Sequence, residues 1–312
     1  MPHTPMTKPV VLAAVLIGTT SLMSAAPRPD TPQADLARLL ASAGTYVARF
    51  TAAFANAVTE ETYTQELAHA GPDARSLTPM RRVLRSEFLL LQTTASDVGW
   101  LPFRNVLAVN GRAVRNGNER LAALLASSSA DALARAQRIS AEWTRYNIGP
   151  DRTINSPVLA LLFLQADMQS RFRFRRERSG RDVPAGVSVV SFEETAVPTV
   201  IRVPADRGGP VEYLDSPASG QFWIDADGTV LRSELVIRGG SRRALGLAAP
   251  GRAGTFTTRF QRDDERGIAV PAEMREWLST GDEVLTGTAV YSAFTTFSID
   301  TDAALSLAPR RP

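Results

Sequence analysis

The 312-residue chain has no cysteine, two histidines and one lysine. Without cysteine there can be no disulfide, no thiolate nucleophile and no cysteine-ligated metal. His3 and Lys8 both lie in the N-terminal leader, so the remainder keeps only His69 and no lysine. A lone imidazole cannot build a histidine-rich zinc site. The missing lysine removes Schiff-base chemistry, a serine–lysine dyad and a phosphate-loop lysine. A G-x-S-x-G elbow is also absent, and His69 has no recognisable partner motif. Beyond the leader no apolar run reaches membrane-spanning length, and Val158–Leu164 is the longest clean one. Nor does one sign of charge dominate. After residue 26 the chain has 34 arginines against 32 acids, a net charge of +2. The pI near 9.6 reflects arginine's high pKa. So even a balance is poor ground for nucleic-acid binding.

What is present begins with an export signal. Met1–Pro9 carries Lys8 and no acid, Val10–Leu22 is apolar, and Ser24-Ala25-Ala26 supplies small residues before the polar run at Pro27. This order reads as a signal peptide over 1–26, with an uncleaved N-terminal anchor as the alternative. No twin arginine precedes the apolar core, so the general secretory route is expected. The expected location is the periplasm or the extracellular space, with no transmembrane anchor after processing. About 286 residues remain, enough for one domain over 27–312 with a substantial core.

From Ala34 the apolar residues Leu36, Leu39, Leu40, Tyr46, Val47, Phe50 and Phe54 recur at helical spacing. Thr31 is a candidate cap and Pro32 a candidate first helical residue. The period then changes. Strands are expected at Val58–Leu67, with a charged solvent face, at Arg81–Thr94 and at Trp100–Val109. Asn110-Gly111 marks a hairpin. Residues 116–166 read as a helical segment, with a last helix opening at Ser156-Pro157 and containing Val158–Leu164. The rest is mostly strand: Gln169–Arg176, Val187–Glu194, Thr199–Val203, Gly220–Asp225, Thr229–Arg238, Gly254–Arg262, Ile268–Leu278 and Gly287–Asp300. Short turns between successive strands imply antiparallel pairing. The pattern predicts an α+β fold. Its core is a curved, largely antiparallel sheet, an open half-barrel, covered by the N-terminal helix and a central helical block.

Two stretches concentrate polar groups. Glu142, Arg145, Asn147, Arg152 and Asn155 cluster between apolar helical segments. The arginines could hold a carboxylate or phosphate, with the asparagines as partners. Equally, the segment could be a structural corner, turned by Gly149-Pro150 and capped by the asparagines. In Arg171-Phe-Arg-Phe-Arg-Arg-Glu-Arg178 a strand would put Phe172 and Phe174 on one face and Arg171, Arg173 and Arg175 on the other. That is a basic stripe for anionic headgroups or an acidic partner, or simply a solvated face. Asp225-Ala-Asp227-Gly228 shares acids and a glycine with calcium loops but lacks their further ligands, and reads as a hairpin turn. Glu60-Glu61, Glu193-Glu194 and Asp263-Asp264 are adjacent carboxylates, which a strand sends to opposite faces.

Gly220–Ile237, Thr255–Asp263 and Ile268–Trp277, following an exported helix and a threonine-rich strand, resemble the layout of lipoprotein-localisation carriers of the LolA/LolB type. That resemblance covers about half of the chain. It implies an unclosed barrel with helices lidding an apolar cavity, and it transfers no catalytic residue. Trp100–Gly111, Arg145–Leu161 and Thr286–Ile299 are similar to strings in exported proteins of soil bacteria, a resemblance that implies no activity. Taken together, a binding or carrier module for a lipid-like or other apolar ligand is expected. A structural or protein-interaction module of the envelope is the alternative, and a carboxylate-dependent hydrolase the remote one. No metal, cofactor or nucleic acid is expected.

Overall fold

The computed structural model describes residues 32–55, 57–69, 78–92, 100–116, 119–121, 143–149, 154–178, 180–204, 213–238, 253–280 and 283–296. Helix α1 spans Pro32–Phe54 and opens on the expected proline. Among the described residues thirteen strands follow. The first four are β1 (Ala57–His69), β2 (Met80–Gln92), β3 (Trp100–Val109) and β4 (Arg112–Ala113). After the central segment come β5 (Phe172–Arg176), β6 (Ser188–Glu194), β7 (Arg202–Pro204) and β8 (Tyr213–Asp215). The last five are β9 (Ala218–Ile224), β10 (Val230–Arg238), β11 (Ala253–Asp263), β12 (Ile268–Thr280) and β13 (Glu283–Thr296).

Eleven strands form one antiparallel sheet in the order β4-β3-β2-β1-β13-β12-β11-β10-β9-β6-β5, while β7 and β8 pair separately. The order is linear, so the sheet is unclosed and has two edges. Short turns join β3 to β4, β9 to β10, β11 to β12 and β12 to β13. Two pairings join strands that are not consecutive, β6 with β9 and β1 with β13, and the second pairs the first strand with the last along its length. Bulges at Val58/Glu60, Arg85/Ser86, Val230/Arg232 and Arg259/Phe260 break the registers. Irregularities of this kind increase local twist and bend a strand. At the β3–β4 turn Asn110 (φ 48°) and Gly111 (φ 79°) both adopt the left-handed backbone of a two-residue hairpin.

Alternation on the strands defines an inner face. Tyr63, Leu67, Leu84, Phe88, Phe222, Leu235, Ile237, Met274, Leu278 and Leu285 lie there in one buried cluster with Tyr46, Phe50 and Phe54 of α1. α1 is amphipathic, and its apolar stripe is what the sheet buries. The phenol of Tyr46 donates to the Ala269 carbonyl at 3.0 Å, which fixes the helix across β12. Gly228, at φ 86° in the β9–β10 turn, touches the backbone of α1, and a Cβ there would come within 2.5 Å of Ser42. At the β1–β3 end Val58, Leu89 and Phe103 are buried on the opposite parity, so both faces are covered there.

The central cover differs from the helical block expected at 116–166. Glu119–Leu121 is helical, 122–142 lies outside the described residues, and Thr144–Tyr146 and Leu159–Leu164 are 3-10 helices. The helix expected from Ser156-Pro157 is therefore a single tight segment. Its bonds run i to i+3, with Leu161 N to Val158 O at 3.0 Å and Gln165 N to Leu162 O at 3.2 Å. Ala160–Leu164 are all buried, so packing on several sides holds this segment where an amphipathic helix would show a polar face. Gln169 Nε2 clamps it to α1 by donating to both Leu40 O (2.9 Å) and Leu164 O (2.8 Å). A strand at Tyr213–Asp215 also appears between the strands expected at Thr199–Val203 and Gly220–Asp225.

Candidate functional site

The notable chemistry sits on the inner face of β1, β2, β3, β12 and β13. On β1 every second residue points inward, which selects Glu61, Tyr63, Gln65 and Leu67. The expectation of a charged solvent face holds for Glu66 but not for Glu61, which is 1% exposed. Cross-strand pairing puts Tyr291 opposite Glu61, Ala289 opposite Tyr63 and Gly287 opposite Gln65. Gly287 also faces Glu276 of β12. Arg104 faces Phe88, and Phe88 faces Thr59, one inward step along β1 from Glu61.

These positions assemble a buried ion pair. Arg104 Nε donates to Glu61 Oε2 at 2.5 Å and an Nη donates to Oε1 at 2.7 Å, a two-pronged contact. Tyr291 OH donates to Glu61 Oε1 at 2.9 Å. The guanidinium also donates to the Asn155 carbonyl at 3.0 Å. It lies 4.6 Å from the Trp143 ring centroid, 5.4 Å from Tyr63 and 5.9 Å from Phe88. Burial opposes the Arg104 charge, yet the Glu61 carboxylate holds its pKa above the ordinary arginine value. Burial first, and then the Glu61 charge, push the Tyr291 phenol well above its ordinary range. A buried pair is tolerable when, as here, both partners are hydrogen-bonded on several sides.

A second link runs through Tyr63, whose hydroxyl donates to Glu276 and accepts from Asn155 Nδ2 at 3.2 Å. Gly287 makes room for this carboxylate: a Cβ there would lie 2.6 Å from both Cγ and Oε1 of Glu276. A third link holds the chain near 147. Gln65 Nε2 donates to Asn147 Oδ1 (3.2 Å), and Gln65 Oε1 accepts from Ile148 N (3.0 Å). Arg82 donates to the carbonyls of Tyr146 (2.8 Å) and Asn147 (3.2 Å). The described parts of 143–156 thus form a strap tied to the inner face by polar groups. The apolar residues that continue it, Val158–Leu164, are buried in the core.

The five clustered candidates separate. Asn147 and Asn155 turn to the sheet and come into one network through Gln65 and Tyr63. Asn147 also closes the 3-10 turn, its amide bonding Thr144 O. Arg145 is exposed, with its guanidinium 5.8 Å from the Tyr146 ring. Glu142 and Arg152 lie outside the described residues. On the edge strand, Arg173 and Arg175 are exposed on the outer face, while Arg171 lies in the preceding 3-10 turn and donates to Pro198 O. Reading the sequence missed Glu61, Tyr63, Arg104, Glu276 and Tyr291 as a group. The one available signal was parity: Glu61, Tyr63 and Gln65 share a face with Leu67, a polar run on an apolar register.

The other half-buried or buried carboxylates are also committed. Glu194 accepts from Val200 N (2.6 Å) and Ala218 N (3.2 Å), and burial raises its pKa. Asp225 closes its turn by accepting from Asp227 N and Thr229 N and pairs with Arg262, which makes Ala226–Gly228 a hairpin turn. His69 is exposed at the end of β1, 3.9 Å from Glu283. Among the described residues no helix is long and apolar enough to cross a membrane.

No protein-family model and no curated protein matches the chain. One solved structure is similar, an outer membrane lipoprotein-sorting protein domain from Vibrio parahaemolyticus. It is 11% identical over 81% of this chain and 93% of that chain, with a TM-score of 0.31. The fold assignment rests on the strand order and registers given above.

Proposed function

We propose that this is an exported envelope protein that binds a lipid-like or other apolar ligand on the inner face of the sheet. The observation that carries the reading is the inner face itself. It is wide, branched and aromatic, and among the described residues its cover is one helix plus a strap of short 3-10 segments. The chain's own side chains occupy that face, so a ligand enters by displacing the strap. Asn155 Oδ1 and Ser156 Oγ are buried without a hydrogen-bond partner among the described residues. Each such atom costs about 1–3 kcal/mol, so the strap is held less tightly than its packing implies. Displacement exposes the polar row of Tyr63, Gln65 and Glu276, which would orient a polar head while the apolar residues receive the chain. The leader at 1–26 supports placement in the envelope.

The test is native mass spectrometry and lipid extraction of the protein purified from an envelope fraction, with a fluorescent apolar probe as a second readout. A discrete apolar adduct is expected. Probe uptake should rise in Gln65→Ala, which unties the strap. No adduct together with unchanged uptake in that variant would overturn the reading.

A further inference from the structure

We infer that β5 is a docking edge for an extended segment of another protein that alternates acidic and apolar residues, joined to the sheet as a twelfth strand. The inference does not depend on the ligand proposed above, because it concerns the other end of the sheet. Among the described residues β5 ends the strand order and is paired with β6 alone. The flanking bonds Thr195 N to Arg171 O (2.9 Å) and Glu177 N to Val189 O (2.8 Å) set which residues face β6. Those are the odd-numbered ones, since backbone groups alternate along an antiparallel strand. The N–H and C=O groups of Phe174 and Arg176 therefore point to the open edge. No proline or bulge, two of the devices that block an edge, interrupts this stretch, and its arginines disfavour indiscriminate pairing while leaving it open to an acidic strand.

Side chains define the occupant. Between 171 and 178 there are five arginines and one glutamate. Arg173 and Arg175 are exposed on the outer face, and Arg173 reaches only a loose 3.6 Å contact with Glu193. On the inner face Phe172 is buried against Phe163, with centroids 4.7 Å apart, while Phe174 is half-buried at the margin. A strand laid on this edge meets arginines on one face and a phenylalanine on the other, so it should carry acids on one face and apolar residues on the other. Two β5 edges from two copies would set arginine against arginine, which disfavours self-pairing. A membrane surface offers acceptors but no amide donors for the Phe174 and Arg176 carbonyls.

The experiment measures fluorescence anisotropy of a labelled nine-residue peptide of alternating Glu and Val with the mature protein. Saturable binding is expected. It should weaken about tenfold in Arg173→Ser/Arg175→Ser, the ratio two solvent-exposed ion pairs provide. N-methylation of the alternate amides that face β5 should abolish binding, and N-methylation of the other set should not. This arm needs no variant of the protein. Equal binding of a Gln/Val peptide, indifference to N-methylation, no binding at all, or preference for anionic vesicles over the peptide would each overturn the inference.

Discussion

Replacing Glu61 by glutamine tests the central claim that Arg104 is a buried, paired charge. The two side chains are 2% and 0% exposed, so neither reaches water. Glutamine keeps the shape but turns one carboxylate oxygen into an NH2 that opposes the arginine's own donors. It also leaves the guanidinium charge uncompensated in an apolar surround of Phe88, Tyr63 and Trp143. Breaking a buried pair from one side costs about 3–5 kcal/mol. With a urea slope of about 3 kcal/mol/M, the midpoint falls by roughly 1–2 M. Arg104→Met should cost a similar amount, because it strands the Glu61 charge and the Asn155 carbonyl. The double variant Glu61→Leu/Arg104→Met removes both charges and should be much closer to the parent than the sum of the singles. Urea unfolding followed by tryptophan fluorescence is the assay, and Trp143 against the guanidinium makes it locally sensitive. If Glu61→Gln lies within about 1 kcal/mol of the parent, or the two single costs simply add, the pair is not buried as described.

Three further outcomes follow from the same geometry. Gly287→Ala puts a Cβ 2.6 Å from Glu276 Oε1 and should cost about 1–3 kcal/mol in thermal unfolding; adding Glu276→Ala should recover most of it, and a fully additive pair would refute the clash. Tyr46→Phe removes the bond to the buried Ala269 carbonyl and should cost about 1–2 kcal/mol without changing the fold by circular dichroism. Burial pulls Asp263 up, but bonds from Arg266 outweigh it and hold its pKa below the ordinary 3.8. The stability it contributes is therefore present above that value and lost as pH falls through the lowered one. Acid unfolding curves of Asp263→Asn and the parent should converge at the acid end and separate above it, and a constant offset at all pH values would refute the assignment.

Much of the fold was legible from local chemistry. Trp100–Val109 is a strand with the expected ends, and α1 opens on Pro32, because alternation, helical spacing and proline's fixed φ are local properties. The segment 158–164 was misread for a physical reason. Seven apolar residues carry no period, so the pattern cannot separate a helix from a 3-10 segment pressed into a core.

The composition by itself settled what chemistry is unavailable: without cysteine, and with one histidine and no lysine after residue 26, nothing that part of the chain folds into can supply a thiolate, a lysine amine or a pair of imidazoles. Parity by itself also required Glu60 and Glu61 to face opposite ways. Sharing a face with Tyr63 and Leu67 marks Glu61 as the inward one, and what compensates its charge there was decided only by the tertiary structure. Pairing β1 with β13 brings Tyr291 against Glu61, and pairing β2 with β3 brings Arg104 to the same place. Those partners lie 230 and 43 residues away in the chain, a separation no local pattern encodes.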